Sequence, residues 1–372
     1  NEALDEIFSL CRTLLNAAPA TRIVFTSRES VPAPFDKKLC ERQLGPLDRD
    51  DAIKLVAEVM KQEGLIPKSD DPGSDPREIV ELVEAVNCNA RALVLLAREV
   101  SHSGVRATTE NLHHLMAELD RKHPGDRGNS LYASVELSLR RLSPEAREQI
   151  KPLAVFHGGA SLIVLKLMQG ADRASIQALA MQLIKVGLAE DMGYGNLRLD
   201  PALPPYLLRE MSAVEQEEAR SRWTEAMKEL TAFLYQQRFQ SAESANQLTL
   251  LELPNLMALL LSIHGKTLPE EVVALAARVE ELLALLGRSQ ALEQATRVRE
   301  CAARDLGEWG HGRFIAESST IDRLREGGDL RAASSAAQQL LQRCLAVAEE
   351  AYPGAAYDLA MAHARLGNLL NI

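Results

Sequence analysis

Apolar side chains recur every three to four residues along most of the chain, which is the spacing of helices that bury one face. The first stripe runs from Leu4 to Leu15 and includes Cys11, which is expected to face a core. Another follows Asp48, a residue suited to capping a helix. From residue 213 onward the chain is predicted to be wholly helical. Predicted helices also cover 77–86, 90–101, 108–119, 213–238, 241–264, 291–305 and 330–351.

Two segments depart from the helical pattern. Three consecutive apolar residues at 23–25 predict a buried parallel strand. Leu188 to Met192, a turn at 193–196 and a second apolar run at 197–199 predict a β-hairpin. The fold class is therefore predicted to be mainly α, with a small amount of sheet.

Proline- and glycine-rich segments divide the chain into four predicted parts. Residues 1–47 are the end of an α/β domain, and 48–126 form a helical subdomain. Residues 127–212 contain three helices and the hairpin, the composition of a winged helix. Residues 213–372 form helical repeats, because Gly287 and Gly328 are 41 residues apart, as are Ala291 and Ala332.

The composition supports helices and excludes some functions. Hydrophobic residues make up 46% of the chain and aromatic residues only 4%, which favours helix over sheet. The formal net charge of −10 argues against a protein that coats nucleic acid. Five scattered cysteines are expected to be free thiols in a cytoplasmic protein. No segment approaches the ~20 apolar residues of a membrane-spanning helix.

The candidate chemistry lies just after the predicted strand, at Thr26, Ser27 and Arg28. In open α/β sheets, ligands bind beyond the carboxyl ends of the strands. The Arg28 guanidinium is placed to bind a terminal phosphate through a charge-assisted hydrogen bond; the alternative is a surface arginine at a strand end. Thr26 and Ser27 either contact phosphate oxygens or cap the following turn. Arg297, Arg299 and Arg304 are predicted to lie on solvated helix faces.

Several stretches resemble the STAND regulatory ATPases, the signalling NTPases that include the NB-ARC proteins. Residues 22–29, Arg-Ile-Val-Phe-Thr-Ser-Arg-Glu, resemble the family's sensor strand. Residues 88–97 resemble the Gly-x-Pro segment of its small helical subdomain, and 129–211 resemble its winged helix. The resemblance implies the remnant of an NTPase sheet, a helical subdomain, a winged helix and an α-solenoid of tetratricopeptide type.

The same resemblance implies nucleotide-binding positions and a cofactor. Ala90 stands where the family has a proline that contacts adenine, and Asp200 stands where a histidine binds the β-phosphate. Capping of the next helix is the other role open to Asp200, and Arg91 is expected to be solvated or paired. ATP or ADP with Mg²⁺ is the cofactor expected for the full-length protein. The 372 residues contain no phosphate-loop motif, so the chain is expected to be an internal portion without ATPase activity of its own.

Three functions are compatible with these features. The first is a nucleotide-regulated signalling switch whose repeats bind a protein or peptide and control oligomerisation. The second is a non-enzymatic scaffold of tetratricopeptide type with a degenerate NTPase remnant. The third is a DNA-binding regulator. It is the weakest, because residues 129–211 carry nine Lys/Arg against eight Asp/Glu and phosphate contacts need positive charge.

Overall fold

A computed structural model describes residues 2–18, 20–25, 31, 35, 45–62, 76–126, 128–284, 286–347 and 350–371. It is mainly helical, as the sequence predicts. The described residues form α-helices, one 3-10 helix and a three-stranded sheet. No helix within these ranges is both long enough and apolar enough to cross a membrane.

The chain divides into two compact units, residues 1–46 and 47–372. The first unit contains helix α1 (Glu2–Ala17). Its three aromatic rings, from Phe8, Phe25 and Phe35, lie with centroids 5.1 to 5.7 Å apart. Residues 21–25 have no regular secondary structure, and Val24 is 88% exposed.

The prediction of a buried strand at 23–25 is therefore wrong for this structure. A strand is stabilised by ladder hydrogen bonds to a neighbouring strand. The described part of the first unit contains one helix and no second strand. Thr26, Ser27 and Arg28, the candidate phosphate-binding residues, lie outside the described residues.

The described part of the second unit begins with five helices, here called the α2–α6 segment. Its core is built from apolar residues at helical spacing, including Val56, Leu93, Leu96 and Leu112, each fully buried. The predicted helices at 77–86, 90–101 and 108–119 are confirmed, with ends shifted by up to three residues. The five helices are α2 (Arg49–Gln62), α3 (Pro76–Ala85), α4 (Ala90–Ser103), α5 (Val105–Lys122) and α6 (Asn129–Leu139).

The hairpin segment follows and combines short helices with the sheet. The three strands are antiparallel in the order β1-β3-β2. The predicted hairpin is present, with Ala189 opposite Leu199 and Asp191 opposite Leu197; strand β1 was not predicted. The elements are α7 (Pro144–Ile150), a 3-10 helix (Lys151–Val155), β1 (Gly159–Ser161), α8 (Leu162–Gln169), α9 (Arg173–Lys185), β2 (Ala189–Asp191), β3 (Asn196–Leu199) and α10 (Leu203–Glu210).

The rest of the described chain is helical and is called the helix-pair segment. Leu330 begins α16 41 residues after Ser289 begins α14, so the offset seen in the sequence is an offset between helices. Gly287 and Gly328 have φ of +64° and +83°, a conformation that glycine adopts without strain. The helices are α11 (Ala213–Gln240), α12 (Ala242–Ile263), α13 (Pro269–Leu283), α14 (Ser289–Arg304), α15 (His311–Glu326), α16 (Leu330–Leu345) and α17 (Ala355–Leu370).

Two helices contribute to two hydrophobic cores at once. On α4, Leu93 and Leu96 belong to the core of the α2–α6 segment, whereas Leu95 belongs to a larger core that runs through the hairpin segment into α11–α15. Helix α6 is divided in the same way, with Leu137 in the first core and Leu139 in the second. Both faces of these helices are therefore buried.

Candidate functional site

Two of the sequence-predicted site residues, Ala90 and Asp200, lie in the described chain. Ala90 is the exposed first residue of α4, and Asp200 directly follows strand β3. They are 110 positions apart in the sequence. In the folded chain, Arg91, the residue after Ala90, forms an ion pair with Asp200. This contact is called the Arg91–Asp200 junction.

The start of α4 fixes the position of Arg91. Asn87 and Cys88 both have left-handed backbone conformations, with φ of +51° and +53°, which are uncommon for residues other than glycine. Asn89 then caps the helix: its Oδ1 accepts hydrogen bonds from the backbone N–H groups of Arg91 and Ala92, each at 3.1 Å. The side chain of Arg91 consequently leaves from the first turn of α4.

Asp200 is held equally firmly at the end of the hairpin. Its N–H donates to the carbonyl of Leu188 at 2.9 Å, which closes the strand pair. Its Oδ1 accepts the N–H of Ala202 at 2.8 Å, and its carbonyl accepts the N–H of Leu203 at 2.9 Å. Asp200 therefore shapes the turn that leads into α10, but it does not cap that helix. The N-cap of α10 is Ala202, with no side-chain cap hydrogen bond, so the capping role that the sequence left open for Asp200 is wrong.

The ion pair has the forked geometry of an arginine binding a carboxylate. Arg91 Nε lies 3.1 Å from Oδ1 and 3.2 Å from Oδ2, and Nη2 lies 3.1 Å from Oδ2 of Asp200. The aspartate side chain is 10% exposed and the arginine side chain 43% exposed. A cation in the first turn of a helix is unfavourable beside the positive end of the helix dipole, and the carboxylate offsets it.

The junction lies at a seam between α4 and the hairpin segment that other contacts extend. Gly187, between α9 and β2, has φ of +80°, and an added Cβ would come within 2.4 Å of Arg98 Nη1. Glu99 lies 3.7 Å from Arg141, with 10% and 18% of the respective side chains exposed. Helix α4 thus contacts the hairpin segment or the residues just before it through three side chains, those of Arg91, Arg98 and Glu99.

A second polar cluster stabilises the same seam from α6. Glu136 accepts a hydrogen bond from Arg147 at 2.7 Å and one from the Tyr206 hydroxyl at 2.6 Å, so it joins α6 to α7 and α10. Burial and then the Glu136 carboxylate raise the pKa of Tyr206 above its ordinary value. The phenol is therefore a hydrogen-bond donor throughout the neutral range.

The helix-pair segment contains a buried ion pair that the sequence did not predict. Arg299 is 2% exposed and donates from Nε to Glu280 Oε1 at 2.6 Å, and Glu280 is 1% exposed. Arg299 also donates from Nη1 to the Ala316 carbonyl at 2.9 Å. Arg323 lies 3.8 Å from the second Glu280 oxygen. The prediction that Arg299 lies on a solvated face is wrong; Arg297, which is 68% exposed, does lie on one.

The helix-pair segment also contains a carboxylate with no exposed surface, Asp358 of α17. It contacts His311 Nδ1 at 2.9 Å and accepts the Tyr352 hydroxyl at 3.1 Å. Burial and the hydrogen bond to Asp358 raise the pKa of Tyr352 to about 12. A cavity of about 170 Å³ beside His311 is lined by Leu306 and Ile315 among others. Within the described ranges, no three His, Cys, Asp or Glu side chains are grouped as metal ligands would be.

The geometry also tests the expected nucleotide. At Asp200 the residues do not fit a phosphate, because the carboxylate would repel one and already accepts hydrogen bonds from Arg91 and Ala202. Arg91 is the member of the junction with the charge that a phosphate requires. The expectation of ATP or ADP with Mg²⁺ therefore depends on Thr26, Ser27 and Arg28, outside the described residues.

Comparison of the chain with models of known protein families gives no match. Comparison with curated proteins gives none either.

Proposed function

We propose that the chain is the switch and sensor portion of a signalling protein of the STAND type, in which the helix-pair segment senses a protein or peptide ligand. The observation that carries this proposal is the Arg91–Asp200 junction. Asp200 and Arg91, the residue after Ala90, come together in three dimensions although they are far apart in the sequence. The resemblance assigns Asp200 and Ala90 to nucleotide control, so the contact joins one such position to the neighbour of the other.

The order of elements supports the same proposal. Helices, a strand, two helices and a hairpin, with sheet order β1-β3-β2, support the winged helix of this proposal. The 41-residue offset between α14 and α16 supports helical repeats of tetratricopeptide type. The buried side chains of the hairpin segment and of α11–α15 belong to one core, so a ligand bound by the helix pairs has a continuous packed path to the hairpin.

In this proposal the junction holds the closed arrangement directly. Where the family uses a histidine to reach a phosphate, this chain uses an aspartate to reach an arginine on the neighbouring subdomain. The side chain of Asp200 is 10% exposed and that of Arg91 is 43% exposed, so solvent screens the pair only in part. Opening would move the first turn of α4 away from Asp200 and leave each charge without its partner. Surfaces exposed in this way would serve self-assembly.

A charge-swap experiment tests the proposal. Arg91→Glu and Asp200→Arg each place like charges at the junction and are expected to enlarge the radius of gyration in small-angle scattering and to promote oligomers. The double variant Arg91→Glu/Asp200→Arg restores opposite charges and is expected to return the protein to the wild-type state. Arg106→Glu, at an exposed position on α5, is the matched control.

The proposal is contradicted if both single variants keep the wild-type radius and oligomeric state while remaining folded. The second candidate function, a protein-binding scaffold, is favoured by one observation: the Asp200 carboxylate is paired with Arg91 and so does not fit a phosphate. Calorimetry of the natural full-length protein with MgADP and MgATP separates the two. Nucleotide binding supports the switch, and its absence supports the scaffold.

A further inference from the structure

Helix α12 meets the corner that precedes strand β1 through a buried amide. Asn255 has no exposed surface. Its Oδ1 accepts the backbone N–H of His157 at 2.8 Å, and its Nδ2 donates to the Gly159 carbonyl at 3.0 Å. The oxygen and the nitrogen of one side-chain amide therefore both hydrogen-bond to the backbone of the corner. These contacts of Asn255, together with Glu252, are called the α12 joint. It connects the helix-pair segment to the hairpin segment.

Glu252 lies one turn earlier on the same helix and is 1% exposed. Its Oε2 accepts a hydrogen bond from Asn255 Nδ2 at 2.9 Å. Its Oε1 has no hydrogen-bond partner in the described part of the chain. A charged carboxylate with one unsatisfied oxygen in a closed interior is costly, whereas the neutral carboxyl loses much less on burial.

Within the part of the chain that the structure describes, no charged neighbour compensates Glu252. Burial raises its pKa to about 7, and the Asn255 hydrogen bond is the only influence that lowers it. Strand β1 has no titratable side chain. At the corner, the His157 ring packs edge-on against Trp223 with centroids 5.8 Å apart, and burial lowers its pKa. The buried or partly buried ions described on the other packed helices pair elsewhere: Lys228 of α11 with Glu225 and Glu271, Arg238 of α11 with Glu281 of α13, and Glu280 of α13 with Arg299 of α14.

The backbone of the corner also packs closely against α12. Gly158 has φ of +78°, and Pro254 of α12 lies against it, 3.5 Å from the position of an added Cβ. Pro254 also lacks the N–H that would otherwise bond within the helix. The corner and α12 are therefore in close contact, and Glu252 is buried beside that contact.

We propose that the α12 joint is proton-dependent: binding of a proton by Glu252 tightens the packing of α12 against the corner, residues 156–159, and loss of that proton loosens it. The role of the joint in signalling rests on the proposed function, in which the helix-pair segment acts on the hairpin segment. The proton dependence itself rests only on the contacts of Glu252.

The direction follows from linkage. An exposed glutamate titrates near 4.5, and in the closed joint Glu252 titrates at about 7. The stabilisation of the closed joint by the proton on Glu252 is complete below pH 4.5, declines as the pH rises toward 7, and is lost above pH 7. With these two values, the opening equilibrium of the joint is expected to increase about 40-fold between pH 5 and pH 7 and to level off above that.

Hydrogen exchange of the corner tests the proposal on the intact chain. The readout is the protection of the His157 amide, in a peptide spanning 153–161, at pH 5, 6, 7 and 8 after correction for intrinsic exchange. Wild type is expected to lose protection about 40-fold from pH 5 to pH 7. Glu252→Gln keeps the shape without the charge and is expected to show a flat profile. Glu243→Gln, exposed on the same helix, should behave as wild type.

A second measurement observes the carboxyl itself. In protein labelled with ¹³C at glutamate carboxyls, a resonance that is missing from Glu252→Gln should titrate with a midpoint near 7. A flat wild-type exchange profile, a persistent pH dependence in Glu252→Gln, or the absence of any glutamate midpoint above 5.5 would overturn the proposal. Neither readout involves the Arg91–Asp200 junction, so a failure here is distinct from a failure of the proposed function.

Discussion

The buried Glu280–Arg299 pair allows a quantitative prediction. The variants are Arg299→Met, Glu280→Met and the double change. Removing one member of a buried ion pair leaves the other without compensation, which typically costs about 3–5 kcal/mol. Arg323, 3.8 Å from Glu280, retains part of the compensation when Arg299 is lost, so Arg299→Met should be at the lower end, about 3 kcal/mol.

Glu280→Met should lower the free energy of unfolding by at least as much as Arg299→Met. It leaves a guanidinium that is 2% exposed with only the Ala316 carbonyl and the Thr320 hydroxyl as partners. In the wild type, burial raises the pKa of Glu280 even though Arg299 lowers it. Desolvation is therefore not fully offset by the pair. Because of this, the double variant with two apolar side chains is expected to cost less than either single change, about 1 kcal/mol or below.

Urea unfolding followed by circular dichroism at 222 nm measures these differences. Arg297→Met is the matched control, since Arg297 is two residues earlier on α14 and 68% exposed. It should change the free energy of unfolding by no more than about 0.5 kcal/mol. A cost below about 1 kcal/mol for Arg299→Met, or a double variant as costly as the sum of the singles, would refute the reasoning.

Two further predictions concern the backbone and a helix start. Gly187→Ala should destabilise the protein by well over 1 kcal/mol in thermal unfolding, because it adds a clash with Arg98 to the strain of positive φ. Gly170→Ala, with φ of +62° and open space around it, should destabilise the protein by only about 1 kcal/mol. Equal destabilisation by the two variants would contradict this prediction. The Ser212 backbone and hydroxyl, then Lys151, lower the pKa of Glu215 to about 2, so the stabilisation from Glu215 is present above pH 4.5 and lost as the pH falls toward 2. Glu215→Gln should therefore flatten the acid limb of the stability curve, and an unchanged limb would contradict this assignment.

The sequence predicted the helices well because their apolar stripes are long and regular. It failed at 23–25, where three apolar residues suit a strand but nothing local decides whether a partner strand is present. It also missed Arg299, although a signal existed. Arg299 lies four residues after Ala295 and three before Ala302, on the buried stripe of α14. A charged residue on an apolar stripe predicts a buried partner.

The Arg91–Asp200 junction could be anticipated only in part. The resemblance singled out Asp200 and Ala90, the residue before Arg91, and the need of an aspartate for a cation was a matter of elementary electrostatics. Their contact was not accessible, because it depends on how α4 packs against the hairpin segment. The Glu252–Asn255 contact with the corner had no signal in the pattern, since the polar atoms involved belong to the backbone of residues almost 100 positions away.

The division of α4 between two cores has a consequence for how the protein unfolds. Leu95 packs into one core and Leu93 and Leu96 into the other, so neither core can lose this helix alone. Cleavage in the segment near residue 127 would not release two independently stable pieces, because each fragment would carry an unsatisfied apolar surface. The α2–α6 and hairpin segments should consequently melt in a single transition, and heat should reveal fewer steps than the number of segments suggests.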